Sequence, residues 1–303
     1  MRVTLSGSGG LVGSCLLRHF VSKGDDVYSI VRNPLDVSDD RQILIDLKNE
    51  TIEEDRLEGM DILIHLSGAN IASKRWSKKY ETEILDSRIG STTIISEALC
   101  RLKNPPKLFL CASAVGYYGN QRPGQLMDES SLKGDGFLSD VCDQWEKASQ
   151  RAKNKAVRTV NLRFGAVLSR KGGALKKMLM PFSLGLGGPI GNGNQAFSWV
   201  ALDEIPLIID FIIENELISG PVNIVSPNGL SNGEFTALLA KQLNRPAILP
   251  LPAFMVELLF GEMGKTILLG GANVAPKKLL DAGYKFKYSS MADALKAVLG
   301  KSK

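Results

Sequence analysis

The sequence predicts an α/β protein in which a doubly wound parallel sheet is joined by a smaller C-terminal lobe. Three observations predict it: apolar runs alternate with segments of helical length, a glycine-rich turn follows the first run, and the texture changes after Gly220. Strand-like runs recur at residues 2–5, 27–31, 42–45, 62–66, 107–111 and 159–162. The runs at 62–66 and 108–110 are almost wholly apolar, as expected of inner strands covered on both faces. His65, inside one of them, reads as a core residue. Helical patterns fall at 11–23, 80–101, 140–155 and 202–216, and the second of these places Ile84, Ile89, Ile94, Ile95 and Leu99 toward one side.

From Pro221 onward a short strand candidate at 222–225 precedes a helical stretch at 232–243. Prolines at 246, 250 and 252 follow, then an apolar run at 254–260 and a last helical pattern at 291–299. The chain therefore divides into a nucleotide-binding domain at 1–220 and a substrate-side lobe at 221–303. A loop at 178–199, rich in glycine at 185, 187, 188, 191 and 193, is expected to join them. Removing the lobe is expected to expose Phe254, Leu258, Leu259 and Phe260.

Composition narrows the function. The 303 residues carry a formal charge of +5 with dispersed basic residues, which builds no nucleic-acid footprint but suits anionic small molecules. Cys15, Cys100, Cys111 and Cys142 have no C-x-x-C spacing, and His19 and His65 are the two histidines, so a metal site is not expected. Free thiols point to a reducing compartment, the cytoplasm. No signal-like start is seen, and the apolar stretch at 205–213 is broken by Asp210, so no membrane partner is expected. Monomer and homodimer both remain open.

The segment from Ser6 to Gly13 reads G-x-x-G-x-x-G between the first strand and the first helix. Gly7 suits a tight turn, Gly10 lets a pyrophosphate approach the amides of Ser8, Leu11 and Val12, and Gly13 lets the helix lie close to the sheet. This is the dinucleotide-binding arrangement of a Rossmann fold. Arg32 ends the second strand, where a carboxylate would select NAD, whereas Asp25 and Asp26 precede that strand. A guanidinium there pairs with a 2′-phosphate, so NADP(H) is expected to be preferred, with NAD(H) possible. Asp46 and Leu47 after the third strand, and Leu66, Ser67 and Gly68 after the fourth, complete the expected cofactor contacts.

These residues, with Cys111–Ala114, Tyr117–Gly119 and Asn161–Gly165, resemble the extended short-chain dehydrogenases/reductases that include nucleotide-sugar epimerases and dehydratases. The segments Ser87–Ile89, Trp145–Glu146, Leu186–Gly193, Phe197–Val200 and Gly283–Phe286 resemble more closely the subgroup called epimerase family proteins, which carry a C-terminal domain of unknown function. The resemblance spans practically the whole chain, and it adds Arg88 to the expected cofactor contacts. It implies an NADP-dependent oxidoreductase or nucleotide-sugar-epimerase-like enzyme acting on a small polar substrate. The alternative is an NADP-binding regulatory or assembly protein, since plant and cyanobacterial relatives are linked to plastid or cell division.

In the wider family a serine after the fifth strand works with a tyrosine and, four residues later, a lysine. Ser113 matches the serine. Aligning Glu146 with the family's helix glutamate places Leu138 at the tyrosine position and Cys142 at the lysine position, and neither can do that work. Tyr117 or Tyr118 is therefore expected to supply the proton-bearing group, with Cys142 behind them. Arg163, Gly188 and Trp199 are the expected substrate contacts, with the glycine-rich loop covering the crevice.

Overall fold

The computed structural model describes residues 1–33, 40–121 and 124–300. The N-terminal part runs β1 (Arg2–Ser6), α1 (Leu11–Ser22), β2 (Asp26–Val31), β3 (Gln42–Asp46), β4 (Thr51–Ile52), β5 (Ile62–His65), α2 (Lys78–Arg101), β6 (Leu108–Ala114), β7 (Leu126–Met127), α3 (Phe137–Gln150) and β8 (Arg158–Phe164). It continues with β9 (Ala166–Leu168), α4 (Gly173–Ser183), β10 (Ala196–Phe197), β11 (Trp199–Ala201), α5 (Ile205–Glu214) and β12 (Gly220–Ile224). The remainder is β13 (Leu230–Ser231), α6 (Asn232–Leu243), α7 (Ala253–Met263), β14 (Asn273–Val274), α8 (Lys277–Asp281) and α9 (Met291–Leu299).

The central sheet has eight strands in the order β12-β8-β6-β5-β1-β2-β3-β4, and every pairing except β3 with β4 is parallel. The chain winds outward from β1 to β3 and then returns to lay β5 beside β1. That reversal opens a crevice at the carboxyl ends of β1 and β5, the usual ligand position in such sheets. Period-two alternation assigns the two faces. Val3, Leu5, Ile62, Ile64, Leu108, Leu110, Val160 and Leu162 pack with Leu16 and Phe20 of α1 and Ile205 to Ile212 of α5. Leu63, Phe109 and Cys111 face the other way, onto Ile94, Ile95 and Leu99 of α2 and Trp145 of α3.

A separate core unites Leu168, Leu175, Phe182 and Trp199 with Phe235, Leu239, Met291 and Leu295. The lobe is thus assembled from two chain stretches, and between them the chain returns to the main sheet as its edge strand β12. α6 opens on a capping box, in which Ser231 Oγ accepts from the Glu234 amide at 3.2 Å while Glu234 Oε2 accepts from the Ser231 amide at 2.7 Å.

Two expectations need correction. The loop expected at 178–199 is helical to Ser183 and ends in β10 and β11, because Pro181 falls within α4 without stopping it. The apolar run at 254–260 is not a buried face either: Phe254, Leu258 and Leu259 are 69%, 69% and 51% exposed in the intact chain. Among the described residues, no helix is long and apolar enough to cross a membrane.

Candidate active site

The glycine turn is close-packed. Gly7 takes a φ of +71°, and a Cβ there would lie 2.9 Å from the Leu66 carbonyl carbon. A Cβ on Gly13 would lie 2.1 Å from the Gly7 carbonyl oxygen, so nothing larger than glycine lets α1 start this near β1. The Gly10 amide donates to the Gly7 carbonyl at 2.9 Å, which closes the turn. No side chain caps α1 and its first turn holds no acidic residue. The first-turn amides around Leu11 and Val12 therefore have no side-chain cap, at the positive end of the helix dipole. Ser8 is half-buried in the turn, and Val12 packs against the sheet core.

Arg32 is exposed two residues past Ile30, the partner of Ser6 across the β1–β2 pairing. It therefore stands on the same sheet edge as the turn. Asp46 is already engaged: its carboxylate accepts from the Asn49 amide at 3.2 Å, the Asn49 side chain at 2.7 Å and the Lys48 amide at 2.9 Å. Those bonds hold it below the usual carboxylate range. Leu47 is half-buried against the α2 side. Leu66 and Ser67 pass directly over Gly7, and Gly68 abuts the Arg88 guanidinium. Arg88 donates to the carbonyls of Ile84 and Ala69, both at 3.0 Å, and lies 5.0 Å from the Trp145 ring.

Beyond the turn lies a cavity of about 560 Å³. Its sheet side is made by Ala114, Val115 and Gly116 after β6 and by Phe164 and Gly165 after β8. Leu138 and Cys142, one turn apart on α3, both line it. The lobe closes it with Gln195 to Ser198, Asn232 and the stretch from Glu262 to Leu268. Phe197 and Ser198 belong to a segment that carries the family resemblance, whereas Gln195, Asn232 and the 262–268 stretch are brought to the crevice by tertiary packing.

Three of the four expected catalytic residues lie off that wall. Ser113 shares the α3-facing side of β6 with Phe109 and Cys111, and its Oγ donates to Glu146 Oε1 at 2.7 Å. Arg163 is 2% exposed and grips the same carboxylate with two donors, Nε to Oε1 at 2.7 Å and Nη2 to Oε2 at 2.8 Å. Its Nη1 donates to the Tyr118 hydroxyl at 2.9 Å, and that hydroxyl donates to Asn223 Oδ1 at 2.7 Å. Tyr118 is fully buried, and burial pushes its hydroxyl up to about 12. Tyr117 packs beneath the Arg163 guanidinium, 3.5 Å from ring centre to Cζ. Ser113, Tyr118 and Arg163 are thus members of a buried network binding β6, α3, β8 and β12, and Arg163 is not free to hold a substrate anion.

Cys142 does line the cavity, and burial pushes its thiol up to about 11, so it is protonated at neutral pH. The two other expected substrate contacts are also reassigned. Trp199 is fully buried in the lobe core, where its Nε1 donates to the Asn228 carbonyl at 3.1 Å. Gly188 serves packing, since a Cβ there would lie 1.9 Å from the Leu249 carbonyl oxygen.

His65 is fully buried between two hydroxyls, with Ser6 Oγ 2.6 Å from Nδ1 and Ser91 Oγ 3.1 Å from Nε2. Ser6 Oγ accepts from the Leu66 amide and Ser91 Oγ donates to the Ser87 carbonyl. Nδ1 is therefore the acceptor and Nε2 carries the proton in a neutral ring. Burial pushes the imidazole from 6.5 down to about 3. Between those values the unfolded chain binds a proton that the folded chain refuses, so stability is present above pH 6.5 and is lost as pH falls. From pH 7.5 to 5.0 urea unfolding should show the wild type losing about 2 kcal/mol more than His65→Gln. Parallel pH profiles for the two proteins would contradict it.

Residues 3–224 match the NAD dependent epimerase/dehydratase family, and residues 251–298 match a domain of unknown function, DUF1731. The chain is 35% identical to an epimerase family protein of Mycobacterium bovis, over 97% of this chain and 96% of that protein. The human epimerase family protein SDR39U1, crystallised with NADPH, superposes with a TM-score of 0.88 at 32% identity, covering 98% of this chain and 99% of that one. A nucleoside-diphosphate sugar epimerase from Corynebacterium glutamicum superposes at 0.81 with 31% identity, covering 99% of this chain and 58% of that one.

Proposed function

Because the chain belongs to the NAD dependent epimerase/dehydratase family, we propose that it is an NADP(H)-dependent oxidoreductase holding a small-molecule substrate in the cavity at the carboxyl end of the sheet. The observation that carries this reading is the glycine turn, its uncapped helix and Arg32 standing on one sheet edge, next to a cavity that reaches Arg88 and α3. The likeness to a human protein crystallised with NADPH supports it.

In this reading the amides of Leu11 and Val12 hold the pyrophosphate, Arg32 pairs with the 2′-phosphate, and Arg88 orients the ribose on the nicotinamide side. NADP(H), when bound, supplies or takes a hydride. Leu138 excludes water from the α3 wall, and the protonated Cys142 thiol is the proton-bearing group that wall offers. The stretches 166–201 and 226–299 form the substrate-side lobe. The four free thiols suit a reducing compartment such as the cytoplasm.

Mass spectrometry of nucleotide released from freshly purified protein should find NADP(H), and pooled carbonyl metabolites should lower NADPH absorbance. Tightly held nucleotide with no turnover, and a protein partner co-purifying in stoichiometric amount, would turn the reading to the regulatory alternative.

A further inference from the structure

The family's sugar-nucleotide members set an expectation of a polar, anionic substrate, but the walls of this cavity are of another kind. Phe137, Leu138 and Val141 of α3 look across to Ile190, Phe197 and Ile267 of the lobe. Four of the polar side chains between them are bonded to the protein's own backbone. Ser198 Oγ donates to the Ala272 carbonyl at 2.8 Å and accepts from the Val274 amide at 3.0 Å. Gln195 Nε2 donates to the carbonyls of Ile190 and Leu268, at 3.0 and 2.8 Å. Asn232 Oδ1 accepts from the Ile190 amide at 2.8 Å, and Ser139 Oγ donates to the Tyr117 carbonyl at 2.6 Å.

Charge is sparse on these walls. Among the described lining residues the charged side chains are Asp135, Glu262 and Lys265, all exposed, and Arg88, which is half-buried. Arg88 donates to the carbonyls of Ile84 and Ala69, and Arg163, which lies off the wall, is locked onto Glu146. A diphosphate placed between these apolar walls would lose its water and find, away from the mouth, one half-buried guanidinium already bonded to two backbone carbonyls, which makes its burial unfavourable. An apolar ligand would instead release water from both surfaces.

We propose that the cavity selects an uncharged, largely apolar substrate and rejects nucleotide sugars. This rests on the reading of the cavity as the substrate site beside the nicotinamide.

The test uses the full chain, with and without NADP⁺, and the uncharged fluorescent probe N-phenyl-1-naphthylamine. The probe should bind, decan-1-ol should displace it, and UDP-glucose at about 1 mM should not. Ile267→Asp should weaken the probe by about tenfold or more, and Met178→Lys on the α4 side should do the same should the first variant fold poorly. Leu258→Ser, on the exposed face of α7, should leave probe binding as in the wild type, which separates the cavity from that surface. Displacement by UDP-glucose would overturn the proposal, as would unchanged probe affinity in folded Ile267→Asp or Met178→Lys. Probe binding to a chain that binds no NADP⁺ would defeat the cofactor reading while leaving the apolar selectivity standing.

Discussion

Arg163→Ala is expected to cost about 3 to 5 kcal/mol of folding stability, the usual penalty for stranding a buried charge. The Glu146 carboxylate would lose two donors and keep only Ser113, and the Tyr118 hydroxyl would lose the donor beside it. Replacing both members, as in Arg163→Met with Glu146→Leu, should recover much of that loss because no unpaired charge remains. Urea unfolding gives the free energies, and nucleotide titration of the folded fraction gives the control. NADP(H) affinity should hold near the wild-type value, since the network lies off the cavity wall. A stable Arg163→Ala protein that had lost only substrate binding would restore the anion-binding role for this arginine.

The second large effect is expected at Gly13. A Cβ there meets backbone, at 2.1 Å from the Gly7 carbonyl oxygen and 3.0 Å from the Ser8 Cα, and backbone cannot rotate away as a side chain tip can. Gly13→Ala should move the start of α1 off the turn and lower NADP(H) affinity by about a hundredfold or more, worth roughly 2.7 kcal/mol. Gly9→Ala is the matched control, because a Cβ on Gly9 meets nothing within 4 Å. It should change affinity by less than about threefold. Equal losses in the two variants, measured by NADPH fluorescence titration, would mean that close helix approach is not what the turn provides.

What was legible in the sequence was what local pattern encodes. The βα alternation, the turn from Ser6 to Gly13 and the bounds of α6 and α9 follow from periodicity, glycine spacing and capping, which act within a few residues of each other. Leu138 and Cys142 both face the cavity because a helix repeats its face every turn. Ser113 and Arg163 turn toward Glu146 of α3 because a strand alternates its faces. A one-residue ambiguity sends a side chain either to the crevice or to α3, and here Ala114 takes the crevice while Ser113 meets Glu146. The lobe's contribution could not be read locally. Gln195, Asn232 and Ile267 are far apart in the chain, and packing of two separate stretches brings them to one wall. The glycines at 185–193 suggested a flexible cover, but Gly188 is there to let the chain lie against Leu249.

The most direct test of the account is titration calorimetry of the wild-type protein and Arg32→Ala with NADP(H) and NAD(H). A charge-assisted pair between Arg32 and the 2′-phosphate should give the wild type an NADP(H) preference of about ten- to a hundredfold, and Arg32→Ala should erase it while leaving NAD(H) affinity nearly unchanged. Equal wild-type affinities for the two nucleotides, or a preference that survives in Arg32→Ala, would contradict the account.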